Sequence, residues 1–149
     1  MRLPPWRPSP PLHYHVAFTE TFVVLEGMLD IYLGQECRHI VLKPQESVTA
    51  QIGQLHTFAN ERNKPTLMTV ETKPAGDVAK AFQLAYGVAN DGGSAKDGLP
   101  FNPLVRLLFI RISQGFLPHI PLWLQKAVFG IAAFIARLTG VNRRLTKYF

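Results

Sequence analysis

Between residues 21 and 73 apolar and polar positions recur with a period of two, the repeat of strands that bury one face. "MLDIYLG", 28–34, is the clearest case: Leu29, Ile31 and Leu33 share one face and Asp30 lies on the other. Before it, "TFVVLEG" is a β-branched and aromatic run closed by Gly27; after it come "CRHIVL", "SVTAQ", "LHTFAN" and "TLMTVET". "GQE", "KPQE" and "ERNKP" divide them as turns. Short strands at close, regular spacing predict an antiparallel barrel or sandwich.

After residue 75 the period becomes helical. "GDVAKAFQLAYGVAN", 76–90, has Asp77 placed as an N-cap, and "PLVRLLFIRISQG", 103–115, opens on a proline suited to a first turn. "LWLQKAVFGIAAFIARLTG", 122–140, is the strongest helical pattern and stops at Gly140. "DGGSAKDGLPFNP" reads as a loop, and "PHIP" as a break. Upstream, residues 1–12 carry five prolines and read as an extended arm. The expected organisation is an N-terminal arm over 1–12, a barrel over 13–75 and a helical extension over 76–149.

Charge sharpens this division. Residues 1–100 hold nine Lys/Arg against ten Asp/Glu, whereas residues 101–149 hold seven Lys/Arg and no acid. The net charge of +6 therefore belongs to the tail, which suits an acidic partner such as lipid headgroups. Its basic residues alternate with Leu, Ile and Phe and carry no recognition motif, which argues against nucleic acid. Peripheral membrane contact through 121–149 and packing of the helices on protein are the two readings, and the wide apolar arc of 122–138 favours packing. The single cysteine, Cys37, cannot form an internal disulfide. With no secretory pattern and no apolar run long enough to span a bilayer, a cytoplasmic location is expected.

The chemistry-bearing residues lie in two clusters. In "PPLHYHVAFTETFVVLEG" His13 and His15 stand at i and i+2, so on a strand they share a face, and Glu20 follows five residues later. In "GQLHTFAN" His56 stands four residues before Asn60. Three imidazoles and a carboxylate suit a first-row divalent ion. His39, His119 and Cys37 have no such partners in sequence and read as structural or surface residues.

His13-Tyr14-His15, four residues, Glu20, six residues, Gly27 resembles the first motif of the cupin superfamily, and Gly53, two residues, His56, three residues, Asn60 resembles the second. The resemblance covers roughly residues 10–73. The helical tail is similar to the extension carried by a group of small bacterial cupins. The resemblance implies an all-β, RmlC-like jelly-roll β-barrel followed by C-terminal α-helices. It implies His13, His15, Glu20 and His56 as ligands to one divalent transition metal ion (Fe, Mn, Zn or Ni), with one or two coordination positions open for water or substrate. Asn60 would secure the turn after the last ligand strand rather than bind the ion. A small-molecule ligand in the barrel is implied, with a metal-dependent reaction of oxygenase or isomerase/lyase type; the alternative is a non-catalytic ligand-binding or sensing module. Phe18, Phe22, Tyr32, Phe58 and Met68 are candidates to line the cavity. Departures concern turns: Arg7 stands where the first motif has glycine, Pro44-Gln45-Glu46 replaces Pro-x-Gly, and Gln51 replaces proline. Only twelve residues precede the first histidine, which would leave a sheet edge open and favour a homodimer.

Overall fold

A computed structural model describes residues 1–7, 10–95 and 98–149; Pro8 and Ser9 of the arm, and Lys96 and Asp97 of the glycine-rich loop, lie outside the described residues. Among the described residues, seven strands are followed by four helices. The strands are β1 (Arg2–Leu3), β2 (Thr19–Glu26), β3 (Leu29–Leu33), β4 (Arg38–Leu42), β5 (Ser47–Ala50), β6 (His56–Ala59) and β7 (Thr66–Lys73). They form a four-stranded sheet, β1-β7-β2-β5, and a three-stranded sheet, β4-β3-β6, with every pairing antiparallel. This is the all-β jelly roll followed by helices that the motifs imply.

The period of two decides which residues face inward. Phe22 and Val24 of β2 and Met68 of β7 meet Leu29, Ile31 and Leu33 of β3 and Leu42 of β4 in one buried cluster. Each large side chain removed from water there stabilises the fold by about 1.5–3 kcal/mol. Between β2 and β3 the chain turns through Gly27 at φ +80°, where a Cβ would stand 2.7 Å from the carbonyl oxygen of Pro65. Both the left-handed backbone and the close approach require glycine. At the turn into β5, Gln45 takes φ +72° and Glu46 N–H donates to the Lys43 carbonyl (3.0 Å), a geometry that usually calls for glycine or asparagine. Residues 1–12 contribute β1, which pairs with β7 at the edge of the larger sheet, and the chain beyond it bridges Arg7 to Asn60.

The chain divides into two compact units, Met1–Gly76 and Asp77–Phe149. The second contains α1 (Val78–Asn90), α2 (Pro103–Ser113), α3 (Leu122–Leu138) and α4 (Val141–Leu145), ending in a 3-10 turn over Thr146–Tyr148. Its core joins Leu84 and Val88 of α1, Val105 and Leu108 of α2, Ala136 of α3 and Leu145 of α4. Asn102 caps α2 by accepting from Leu104 N–H and Val105 N–H. Asp77 occupies the N-cap of α1 without a side-chain cap bond; its carboxylate accepts from Lys80 Nζ instead. Mid-helix Gly87 makes room for Tyr148, whose ring would overlap an added Cβ. The element after Gly140 was not anticipated, because five residues are too few to show a helical period.

Among the described residues, no single helix is long and apolar enough to cross a membrane. The span Leu122–Leu138 reaches the required length only together with Val141–Tyr148, and the two are bent by 87°.

Candidate metal centre

The two histidine clusters meet through backbone hydrogen bonds. His13 N–H donates to the His56 carbonyl (3.1 Å), and His56 N–H donates back to the His13 carbonyl (2.8 Å). Gly53 N–H donates to the His15 carbonyl at 2.8 Å, so the whole 13–15 segment is zipped to the strand entry at β6. Glu20 projects from the start of β2, within the alternation that buries Phe22 and Val24. The result places one donor atom from each of His13, His15, Glu20 and His56 within 4.8 Å of one another. The structure thus brings together all four residues singled out in the sequence. His15, Glu20 and His56 are buried, and His13 is half-buried.

The imidazoles are held from behind. His13 Nδ1 lies 2.8 Å from the Pro11 carbonyl oxygen, and His56 Nδ1 lies 2.9 Å from the Gln54 carbonyl oxygen. A carbonyl oxygen can only accept, so both Nδ1 atoms carry the proton and Nε2 faces the cluster. Phe18 stacks on His15 with ring centres 4.3 Å apart, and Phe22 lies 6.0 Å from His56. These contacts fix ring planes as well as positions.

His56 Nε2 stands 2.9 Å from Glu20 Oε2, and His15 Nε2 stands 3.4 Å from the same oxygen. Burial alone would raise the Glu20 pKa, but the bonds to His15 and His56 overcome it and hold the carboxyl at about 2. It is therefore ionised at neutral pH. Burial, reinforced by repulsion from His56 and His15, lowers His13 to about 4, so its imidazole is neutral. Since His56 Nδ1–H is committed to Gln54, a neutral His56 would set an Nε2 lone pair against a carboxylate lone pair at 2.9 Å. Such a contact needs a positive charge between the two atoms, either a proton or a metal ion. Neutral imidazoles with an ionised carboxylate are the ligand forms that divalent first-row ions take. The donor set fits such an ion.

Asn60 is buried and acts as a clamp. Its Nδ2 donates to the carbonyls of Pro4 (3.0 Å) and Lys64 (2.8 Å), and its Oδ1 accepts from Arg62 N–H. Of the cavity candidates, Phe18 and Phe22 flank the histidines, while Phe58 packs beside Phe22 and Met68 is fully buried in the core. Tyr32 does not line the site. It stacks on His39 across the β3–β4 pair and donates its hydroxyl to Glu61, which raises its pKa to about 12. Beside it, buried Asp30 accepts from Arg62 Nη1 (2.8 Å), lies 2.9 Å from His39 Nε2 and takes Glu61 N–H. The alternation in "MLDIYLG" puts Asp30 off the core face, but only the returning loop that carries Arg62 buries it.

A family model for the cupin domain matches residues 1–71. Among solved structures, a protein from Thermus thermophilus is 27% identical over 48% of this chain and 65% of its own, with a TM-score of 0.43. A sugar phosphate isomerase from a cupin superfamily, from Silicibacter pomeroyi, is 28% identical over 46% of this chain and 44% of its own, with a TM-score of 0.41. A predicted oxalate decarboxylase from Thermotoga maritima is 22% identical over 48% and 60% of the two chains, with a TM-score of 0.44. This chain covers less than two-thirds of the length of each. No curated protein matches it.

Proposed function

Because residues 1–71 are a cupin domain, we propose that this protein binds one divalent transition metal ion through His13, His15, Glu20 and His56, and uses it on a small organic molecule. The observation that carries this reading is the convergence of four ligand atoms within 4.8 Å. The Nδ1–H groups of His13 and His56, turned back onto carbonyls, leave Nε2 as the donor in each. Backbone anchors of this kind set the tautomer and orientation of ligating histidines.

An ion held there supplies Lewis acidity toward a carbonyl or enolate oxygen, and iron adds redox chemistry. The chain's own residues do the rest. Glu20, ionised down to about pH 2, serves as a ligand and not as a general acid near neutrality. His13, the half-buried member of the four, offers an uncharged donor. Phe18 and Phe22 pack the inner side, keep water from it and favour a partly apolar ligand. Oxygenase and isomerase/lyase chemistry are the reaction classes such a centre serves; a binding or sensing module would use the same residues without turnover.

The test is elemental analysis of untagged protein purified without chelator. About one equivalent of a transition metal per chain is expected for one such site, and its loss in His13→Ala and His56→Ala. Metal-free protein that gains no stability from Fe, Mn, Zn or Ni would end the proposal. Turnover lost in His56→Ala separates the enzyme from the binding module.

A further inference from the structure

Helix α3 is apolar almost all round, yet the structure packs only a narrow strip of it. Gln125, Phe129, Ala132 and Ala136 are buried, the i, i+4, i+7, i+11 series of one face. Gln125 is satisfied there by Leu117 N–H and the carbonyls of Leu117 and Ile120. Trp123, Leu124, Ile131, Phe134, Ile135 and Leu138 stay exposed, four of them by 60% or more. At 3.6 residues per turn these six fall in one uncharged arc about 120° wide. An apolar patch of this kind marks an interaction surface.

The border of the arc tells which partner it fits. Lys126 and Arg137 run along one side of it. Where α3 ends, Arg137, Leu138, Gly140, Asn142 and Arg143 line an open pocket of about 390 Å³. Residues 101–149 hold seven basic side chains and no acidic one, and Lys147 is taken up by Asp91. A symmetric contact between two copies with antiparallel helices would set this patch against itself and bring basic border against basic border, and one with parallel helices would leave both borders without an acidic partner. An anionic headgroup layer neutralises the border instead, and its acyl chains take the apolar arc. Trp123 at the start of the helix suits the water–lipid boundary.

We propose that α3 is a membrane-docking helix. It lies in the plane of an anionic bilayer, with Ile131, Phe134 and Leu138 among the acyl chains, Trp123 at the water–lipid boundary and Lys126, Arg137 and Arg143 on headgroup phosphates.

The experiment uses the full chain in a Trp6→Phe background, so that Trp123 is the one fluorophore of its kind. Vesicles of phosphatidylglycerol and phosphatidylcholine are compared with phosphatidylcholine alone by flotation. Binding to the anionic vesicles is expected, with a blue shift of Trp123 and quenching by brominated acyl chains. Ile131→Glu with Phe134→Glu is expected to weaken binding about tenfold or more. Arg137→Glu with Arg143→Glu is expected to abolish the anionic preference. The quenching measurement needs no α3 variant, and circular dichroism checks that each variant keeps its helices. Failure to float, an unshifted Trp123, or binding undiminished by the apolar double variant would each overturn the proposal. So would a dimer in sedimentation that Phe134→Glu dissociates while vesicles are left unbound.

Discussion

The contact between Glu20 and His56 gives the sharpest prediction, because the same substitution costs a metal centre its stability only when metal is present, and costs a structural ion pair its stability without metal. Glu20→Gln keeps the shape of the side chain and removes its charge. His56 Nδ1–H is bound to the Gln54 carbonyl, so its Nε2 faces Glu20 Oε2 at 2.9 Å across a proton or a metal ion. In the variant the glutamine amide can donate to Nε2, and no charge is then needed between the two side chains. With chelator present, the variant is expected to match its parent within about 1 kcal/mol, the worth of one neutral hydrogen bond. Metal separates the two. At a free concentration about a hundred times Kd, binding stabilises the parent by about 2.7 kcal/mol, a rise of roughly 10–20 °C in Tm for a unit the size of Met1–Gly76. Loss of an outer partner of a ligand already costs about 10–100-fold in affinity, so loss of a direct ligand costs at least about a hundredfold. The variant then sits near its own Kd, gains about 0.4 kcal/mol and rises by about 2–3 °C. Calorimetry with and without Zn or Mn is the assay. The two compact units can melt separately, and the transition that moves with metal is the one to score. A variant several kcal/mol weaker than its parent under chelator, together with a parent indifferent to metal, would refute the reasoning and leave an ordinary buried ion pair.

Other consequences are open to measurement. In chelated protein His13 titrates at about 4 when folded against 6.5 when unfolded, and Glu20 at about 2 against 4.5. Both folded values lie below the unfolded ones, so the unfolded chain binds more protons in each window. Stability is then full above about pH 6.5, falls by up to about 3 kcal/mol toward pH 4 through His13, and falls again from 4.5 toward 2 through Glu20; urea titrations across pH in His13→Asn should lose the first step. Arg62→Ala strands the buried Asp30 carboxylate and is expected to cost about 3 kcal/mol, whereas the same change made in an Asp30→Ala background costs less; equal losses in the double-mutant cycle would show that the pair is not coupled. Gly27→Ala, which forces a Cβ to 2.7 Å from the Pro65 carbonyl at φ +80°, is expected to destabilise the first unit by more than about 1 kcal/mol in chemical denaturation.

The sequence by itself determined most of the strands and the three longer helices, because each rests on spacing that a short segment carries alone; the four candidate ligands rest on the likeness of two separate motifs to the cupin pattern. Alternation in "MLDIYLG" fixes which side chains share a face of β3, and His13 and His15 share one by the same rule. The resemblance of two motifs to the cupin pattern, with Glu20 and His56 36 residues apart, implies one shared site. Tertiary structure decided what each face meets. That His13 and His56 turn Nδ1 onto Pro11 and Gln54 depends on how the chain loops before each ligand. Asp30 is buried by Arg62, thirty-two residues away, through a loop whose return has no periodic signature. In α3 the helical period is plain, but every residue of an all-apolar helix is a candidate for burial. Only the neighbours chosen by packing select Phe129, Ala132 and Ala136 for the interior and leave Phe134 and Leu138 to water. Local periodicity encodes conformation; the choice of partner is made between segments distant in sequence, where no single segment holds the information.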